Sequence, residues 1–377
     1  MSIEKILKTI SCKEYCNIFN FKYSLQQKED YQKIYPPDYM GNSKGNNYIN
    51  IKYPEIYIAE LNNVNIIGEN YIIFDDNNYG IYDVPFNDDE NKYDLICYNT
   101  TYVDKNITCV NYAGPIEIID EGIMLIGVCS YNFSHFHTEV LSKLCFINGI
   151  NEYSNVPILI DEICINTPQF LEELEMVNKN VRKIIILKKG SVYNIKKLIY
   201  ISDLGIYPFQ IKEGYLLKNK DCVFNDIGIK LLNENLSIKS NIFRKVFISR
   251  KTSGNPRLEN QDIVEQIFIE NGYEMIFPEL MTFAEKLKVF SEAKIIAGVY
   301  GAGFTNILFA NNNAKIICIQ PKAIEWPWIS NIAGILGQQC YFLDALLSNE
   351  TPFRYYQNSF KLDEEYLRKF LNQLEGD

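Results

Sequence analysis

From about residue 120 onward the chain alternates short runs of β-branched and apolar residues with runs of helical period, and it does so twice. The first series reads GIMLIGV (122–128), a helical SHFHTEVLSKLCFIN (134–148), VPILID (156–161), TPQFLEELEMV (167–177) and KIIILK (183–188). The second reads KVFISR (245–250), ENQDIVEQIFIENG (259–272), YEMIFP (273–278), TFAEKLKVFSEA (282–293), KIIAGV (294–299), a glycine turn running into TNILFA (305–310), KIICIQ (315–320), a helix near 326–337 and CYFLDA (340–345). Apolar runs without polar alternation fit strands buried on both faces, and strand–helix alternation joins parallel neighbours through crossovers. The expected fold class is α/β, with two Rossmann-like domains.

The N-terminal part has another rhythm. Residues 1–46 hold a short amphipathic start followed by polar, turn-rich sequence, which reads as a lead-in before the first regular sheet. Between 48 and 84 short aromatic and β-branched runs are broken by NN, GEN and DDNNYG, the pattern of an antiparallel meander. The irregular stretch 203–244 separates the two series. The boundaries expected are 1–205 for an N-terminal domain (meander, then Rossmann-like), 206–345 for a C-terminal Rossmann-like domain, and 346–377 for a docking helix with Leu367, Phe370, Leu371 and Leu374 on one face. A length of 377 residues agrees with two cores at roughly 150 residues per domain.

Charge and cysteine usage narrow the function classes. Lys and Arg total 37 against 47 Asp and Glu, a formal charge of −10, and a surface of that sign does not bind nucleic-acid phosphates generically. None of the ten cysteines forms Cys-x-x-Cys and several lie inside apolar runs, so they read as reduced core residues. No stretch approaches the roughly 20 apolar residues of a spanning helix. The expectation is a cytoplasmic protein.

Three constellations bear polar groups at strand ends, where open α/β sheets bind ligands. The only two histidines, His135 and His137, stand at the start of the helix after the first strand of the first series, and Glu139 follows His135 by one helical turn, on the same face. A His with an ordinary pKa of about 6.5 is a ready general base; a His packed at a helix start is the plainer alternative. The second constellation is Ser249, Arg250 and Lys251 with Arg257, delivered by a strand end into a loop, where arginine forks match phosphate oxygens. The third is Tyr300, Gly301, Ala302, Gly303, Phe304, Thr305 and Asn306. There the glycines allow close backbone approach, and free N–H groups at a helix start near Thr305 and Asn306 favour negative charge. A dinucleotide fingerprint fails, because Asn306 occupies the third glycine position. No Asp-x-Asp occurs, so the metal-clasping carboxylate pair is absent and no metal is expected. Glu325, beside Trp326 and Trp328, is a further candidate for a sugar or ribose contact.

The run ISRKTSGNPRLENQ, the segment NGYEMIFPELMTFAEKLKVFSEAKIIAGVYGAGFTNILFA and NFSHFHTEVL upstream resemble glycosyltransferase family 61 over roughly residues 55–345. That resemblance implies an inverting, GT-B-like enzyme, its two Rossmann-like domains facing a cleft, that uses a nucleotide sugar. It gives His135 and Glu139 the catalytic positions. Ser249, Arg250, Arg257, Asn260, Gly301, Gly303, Thr305 and Asn306 match the donor-side motif, with Tyr300 standing where the family usually has His and Phe136 where it usually has Trp. Tyrosine stays protonated near neutral pH and cannot take up a proton there, so the base role falls to His135.

The function expected is transfer of a sugar from a nucleotide sugar, a UDP-sugar foremost, to a hydroxyl of a glycan or glycoconjugate in surface polysaccharide synthesis. It needs no cofactor or metal, binds no nucleic acid, and touches a membrane only peripherally, through a lipid-linked acceptor. Two alternatives stand beside it: an inactive nucleotide- or glycan-binding protein of the same fold, and an NAD-dependent oxidoreductase suggested by the doubly wound domains alone.

Overall fold

The apolar runs become strands, and they collect into two separate sheets. A computed structural model describes residues 2–39, 48–87, 92–127, 129–206, 211–212, 215, 218–238, 240–254, 256–324, 326–348 and 358–376. Two compact units emerge, Met1–Tyr31 with Lys52–Tyr215, and Gln32–Ile51 with Leu216–Asp377. The segment Gln32–Ile51, placed by sequence in the N-terminal domain, belongs to the second unit. Among the described residues no helix is long and apolar enough to cross a membrane. No disulfide joins the ten cysteines.

The first unit holds an 11-stranded mixed sheet. Its strands are β1 (Ser2–Ile10), β2 (Tyr23–Gln27), β3 (Ile56–Ile67), β4 (Ile73–Phe74), β5 (Tyr79–Ile81), β6 (Thr100–Val103), β7 (Ile107–Ala113), β8 (Glu117–Leu125), β9 (Ile158–Asp161), β10 (Ile184–Leu187) and β11 (Val192–Ile201). The order is β10-β9-β8-β11-β3-β4-β5-β1-β7-β6, with β2 added on β3. Only β10, β9, β8 and β11 form a continuous parallel block, and β11 joins the meander strand β3 antiparallel from Val192↔Ile67 to Ile201↔Ile58. Meander and parallel block are therefore one sheet and not successive modules, because the long β3 and β11 each have an edge that the other satisfies. Residues 2–10 are no lead-in: β1 pairs antiparallel with β7 and parallel with β5. The buried core includes Tyr57, Leu61 and Ile66 of β3 with Leu159, Ile195 and Leu198.

The second unit is built on β12 (Arg244–Ile248), β13 (Glu274–Ile276), β14 (Ala293–Val299), β15 (Lys315–Gln320) and β16 (Gln339–Asp344). All four pairings are parallel, in the order β13-β12-β14-β15-β16. Counted along the chain this is 2-1-3-4-5, a doubly wound order of the flavodoxin kind and not the 3-2-1-4-5-6 of a Rossmann sheet. Connecting helices are α1 (Gln261–Glu270), α2 (Phe283–Glu292) and α3 (Trp328–Leu336). The capping box of Thr282 and Glu285 fixes the start of α2. The terminal helix α4 (Glu364–Gly376) buries Leu367 and Leu371 in the core of this unit, and its Phe370 ring meets Tyr341 edge-on at 5.8 Å.

Candidate active site

In the first unit, β8 leads at its carboxyl end into a helical run over 133–148. Asn132 caps the run, its side chain accepting from Ser134 N. The turn Phe136–Leu141 is π-helical, with Ser142 N bonded to His137 O, five residues back. Such wide turns concentrate at functional sites, since they re-aim side chains at the cost of regular hydrogen bonding.

The two histidines have different environments. His135 Nδ1 lies 2.6 Å from Glu139 Oε1, realising the one-turn spacing. His137 is fully buried, with Nδ1 2.7 Å from Phe133 O and Nε2 2.8 Å from Glu173 Oε2. That second pair ties the 133–148 run to the helix Pro168–Val177, so His137 packs the fold.

Glu139 lines a pocket of about 130 Å³ at the carboxyl ends of β8 and β11. These are adjacent parallel strands, and in chain order the block reads 3-2-1-4, so the pocket occupies its topological switch point. Met124, Ile126 and Gly127 come from the end of β8, Tyr200 and Asp203 from the end of β11, and Tyr71 and Tyr82 from the meander. A Cβ added to Gly127 would stand 3.6 Å from Glu139 Oε2, which puts that oxygen against the pocket wall. Burial and then the charge of Glu139 push the Cys129 thiol, also in the wall, up to about 12. His135 is 5% exposed and sits behind Glu139, not in the wall. The structure thus gives the pocket-facing place to the carboxylate and the backing place to the imidazole.

Asp161, at the end of β9, shapes this loop region and carried no sequence signal. Its buried carboxyl accepts from Glu69 N at 2.7 Å, Gly127 N at 3.0 Å and Ser130 Oγ at 3.0 Å. Burial, against those three hydrogen bonds, raises its pKa to about 7.

In the second unit the ends of β12 and β14, adjacent and parallel, form the switch point. β12 delivers Ser249 and Arg250; β14 delivers Tyr300 and Gly301. A Cβ on Gly301 would lie 1.9 Å from Nη1 of Arg250, so the missing side chain is what lets the guanidinium lie on the turn. Arg257 donates from Nη1 to Tyr300 O at 3.4 Å, and its guanidinium stands 5.3 Å from the Tyr300 ring centroid. Burial first, and then the charge of Arg257, lower the Arg250 pKa to about 10. Lys251, by contrast, is neutralised by Asp262 and Glu265, each at 2.7 Å.

The remaining sequence candidates divide. Ser249 is buried, its hydroxyl donating to Glu265 Oε1 at 2.7 Å and accepting from Gln261 Nε2 at 3.3 Å, which fixes the strand end to α1. Asn260 spends its amide on the chain 102 residues away: Nδ2 donates to Leu362 O at 2.9 Å and Oδ1 accepts from Leu362 N at 3.2 Å. Both are positioned as supports and not as ligand contacts. The helix expected to start near Thr305 is a 3₁₀ helix over Ala302–Phe309, opened by Gly301, so the N–H groups left without intrahelical partners are those of residues 301–303. Thr305 and Asn306 are buried within it, and Asn306 Nδ2 donates back to Gly303 O at 2.7 Å. Gly303 is needed for packing, since a Cβ there would approach Ile248 Cγ2 to 3.1 Å. Tyr300 is buried, its ring edge-on to Trp328 at 6.3 Å, and burial raises its pKa despite the opposing charge of Arg257. Glu325 lies outside the described residues.

The family model described as glycosyltransferase 61 matches residues 133–317, from the helical run that carries His135 and Glu139 to β15 of the second unit. No curated protein matches the chain. Over these residues the chain matches glycosyltransferase family 61.

Proposed function

We propose that the protein is an inverting, metal-independent glycosyltransferase of the GT-B type that takes its sugar from a nucleoside diphosphate. The observation that carries the reading is the pairing of Arg250 and Arg257 over the Gly301 turn. The charge of Arg257 disfavours that of Arg250, a conflict that a dianion lying between them relieves, and the N–H groups of residues 301–303, which have no intrahelical partner, add to the same field. On the acceptor side, Glu139 Oε2 removes the proton from a sugar hydroxyl while His135 holds Oε1 through Nδ1. As the hydroxyl oxygen bonds to the anomeric carbon, the bond from that carbon to the diphosphate oxygen breaks, and its electron pair leaves with the diphosphate. Attack opposite the leaving group inverts the anomeric centre.

The chemistry of the thiols supports a reducing compartment, because eight of ten are buried and none is paired in a disulfide. We therefore place the protein in the cytoplasm, reaching a membrane only through a lipid-linked acceptor, in surface polysaccharide synthesis.

Thermal denaturation against UDP, GDP, CMP, their sugar conjugates and NAD, with and without EDTA, tests the donor assignment. Ligand at about 100 times its Kd adds about 2.7 kcal/mol, a shift of several degrees. One nucleotide class stabilising the protein equally with EDTA supports the reading; stabilisation by NAD alone replaces it with an oxidoreductase. Tyr300 favours a second reading, a binding protein without turnover, since a buried phenol under Arg257 takes no proton near neutral pH. Nucleotide binding with no donor consumption identifies that case.

A further inference from the structure

The pocket of the first unit has about 130 Å³ of room. A closed cavity of roughly 150 Å³ holds one benzene ring, so this partly open pocket admits at most one sugar ring, with part of it left in the mouth. Its walls are of two kinds. Tyr71 and Tyr82 stack with centroids 4.6 Å apart, and with Tyr200 they present flat apolar surface tipped with hydroxyls. Around them, among the described residues, stand three carboxylates, Glu139, Asp94 and Asp203, and one ammonium, Lys143, which already lies 2.6 Å from Asp203. The charge met by an entering ring is negative.

We propose that this pocket is the acceptor subsite and that it takes one uncharged sugar ring while rejecting rings that bear a carboxylate or phosphate. The proposal rests on the glycosyltransferase reading and names its acceptor class. Hydroxyls donate to the carboxylates and accept from Lys143, and the C–H face of the ring packs on the tyrosines. An anionic ring sets like charge beside Glu139, Asp94 and Asp203.

The test is equilibrium binding without donor, by saturation-transfer NMR on the full chain. The probes are the methyl glycosides of glucose, galactose, N-acetylglucosamine and glucuronic acid. At least one neutral glycoside should bind through its ring protons and the glucuronide should not. In the Asp94→Asn/Asp203→Asn variant the glucuronide should gain at least about tenfold relative to the neutral glycosides; Asp94→Asn alone, which keeps the Lys143 pair, should give a smaller gain in the same direction. A glucuronide that binds the wild type as well as the neutral glycosides overturns the proposal. So does the absence of any glycoside binding in a protein that still binds UDP, an outcome that leaves the transferase reading standing. If no nucleotide binds, it is that reading that fails.

Discussion

Replacing Gly301 by Ala adds one methyl group at the point where Arg250 rests on the turn. The new Cβ would stand 1.9 Å from Nη1, and van der Waals contact needs about 3.4 Å, so the guanidinium must retreat by about 1.5 Å. The backbone resists as well, since Gly301 at φ 158° and ψ 170° occupies a region that only glycine adopts readily. The cost therefore falls on the ligand and, by about 1–3 kcal/mol, on the fold. A charge-assisted hydrogen bond contributes about 1.5–3 kcal/mol, which at 1.4 kcal/mol per decade is roughly a 10- to 150-fold loss in affinity for a nucleoside diphosphate. Isothermal titration with UDP and GDP, alongside urea denaturation, measures both quantities. Gly301→Ala should bind weakly and lose about 1–3 kcal/mol of stability, Arg250→Ala should bind as weakly, and the double variant should lose little more affinity than either, because both changes remove one interaction. Wild-type affinity in Gly301→Ala, or losses that add in the double variant, would refute the reasoning.

Three further outcomes follow from the geometry. Glu139→Gln should lower kcat by about 10²–10⁴, the usual span for a general base, with nucleotide affinity kept; His135→Ala should lower it less, because Glu139 and not His135 faces the pocket, and a larger loss in His135→Ala would exchange the two roles. Asn260→Ala should cost about 1–3 kcal/mol in urea denaturation, from the two backbone groups of Leu362 left without their amide, while UDP affinity stays the same; loss of UDP affinity at full stability would return Asn260 to the donor site. Asp161 titrates at about 7 in the folded protein against an ordinary 3.8, so the folded state holds a proton that the unfolded state has released. Its contribution to stability is full below about pH 4 and is lost as pH rises through about 7. Urea denaturation between pH 4 and 8 should show this decline in the wild type and a flatter profile in Asp161→Asn, and identical slopes would remove Asp161 as its source.

The strand–helix alternation was legible because buried parallel strands such as VPILID and KIICIQ have no polar alternation, and because helix starts such as Thr282–Glu285 cap themselves locally. β1 was not. Its Ile3, Ile6, Leu7 and Ile10 repeat at helical spacing, and only the open edges of β5 and β7, about 70 and 100 residues away, draw it into a ladder. The His135–Glu139 pair was readable from its four-residue interval. Its pocket was not, since Tyr200 reaches it from β11 and Tyr71 and Tyr82 from loops beside β4 and β5, strands whose order no local pattern encodes. For the same reason Asn260 looked like a ligand contact: the Leu362 backbone that claims it lies near the end of the chain. The early start of the 3₁₀ helix follows from Gly301 and the approach of Arg250, a contact set by the β12–β14 pairing.

The most direct measurement of the account is NMR observation of the anomeric proton during incubation of the protein with the nucleotide sugar that stabilises it and a neutral methyl glycoside, with EDTA present. The account predicts release of the nucleoside diphosphate and a new glycosidic linkage of configuration opposite to the donor's, at a rate that Glu139→Gln nearly abolishes. A linkage that keeps the donor's configuration, or an intact donor after long incubation with a protein that binds it, would contradict the claim.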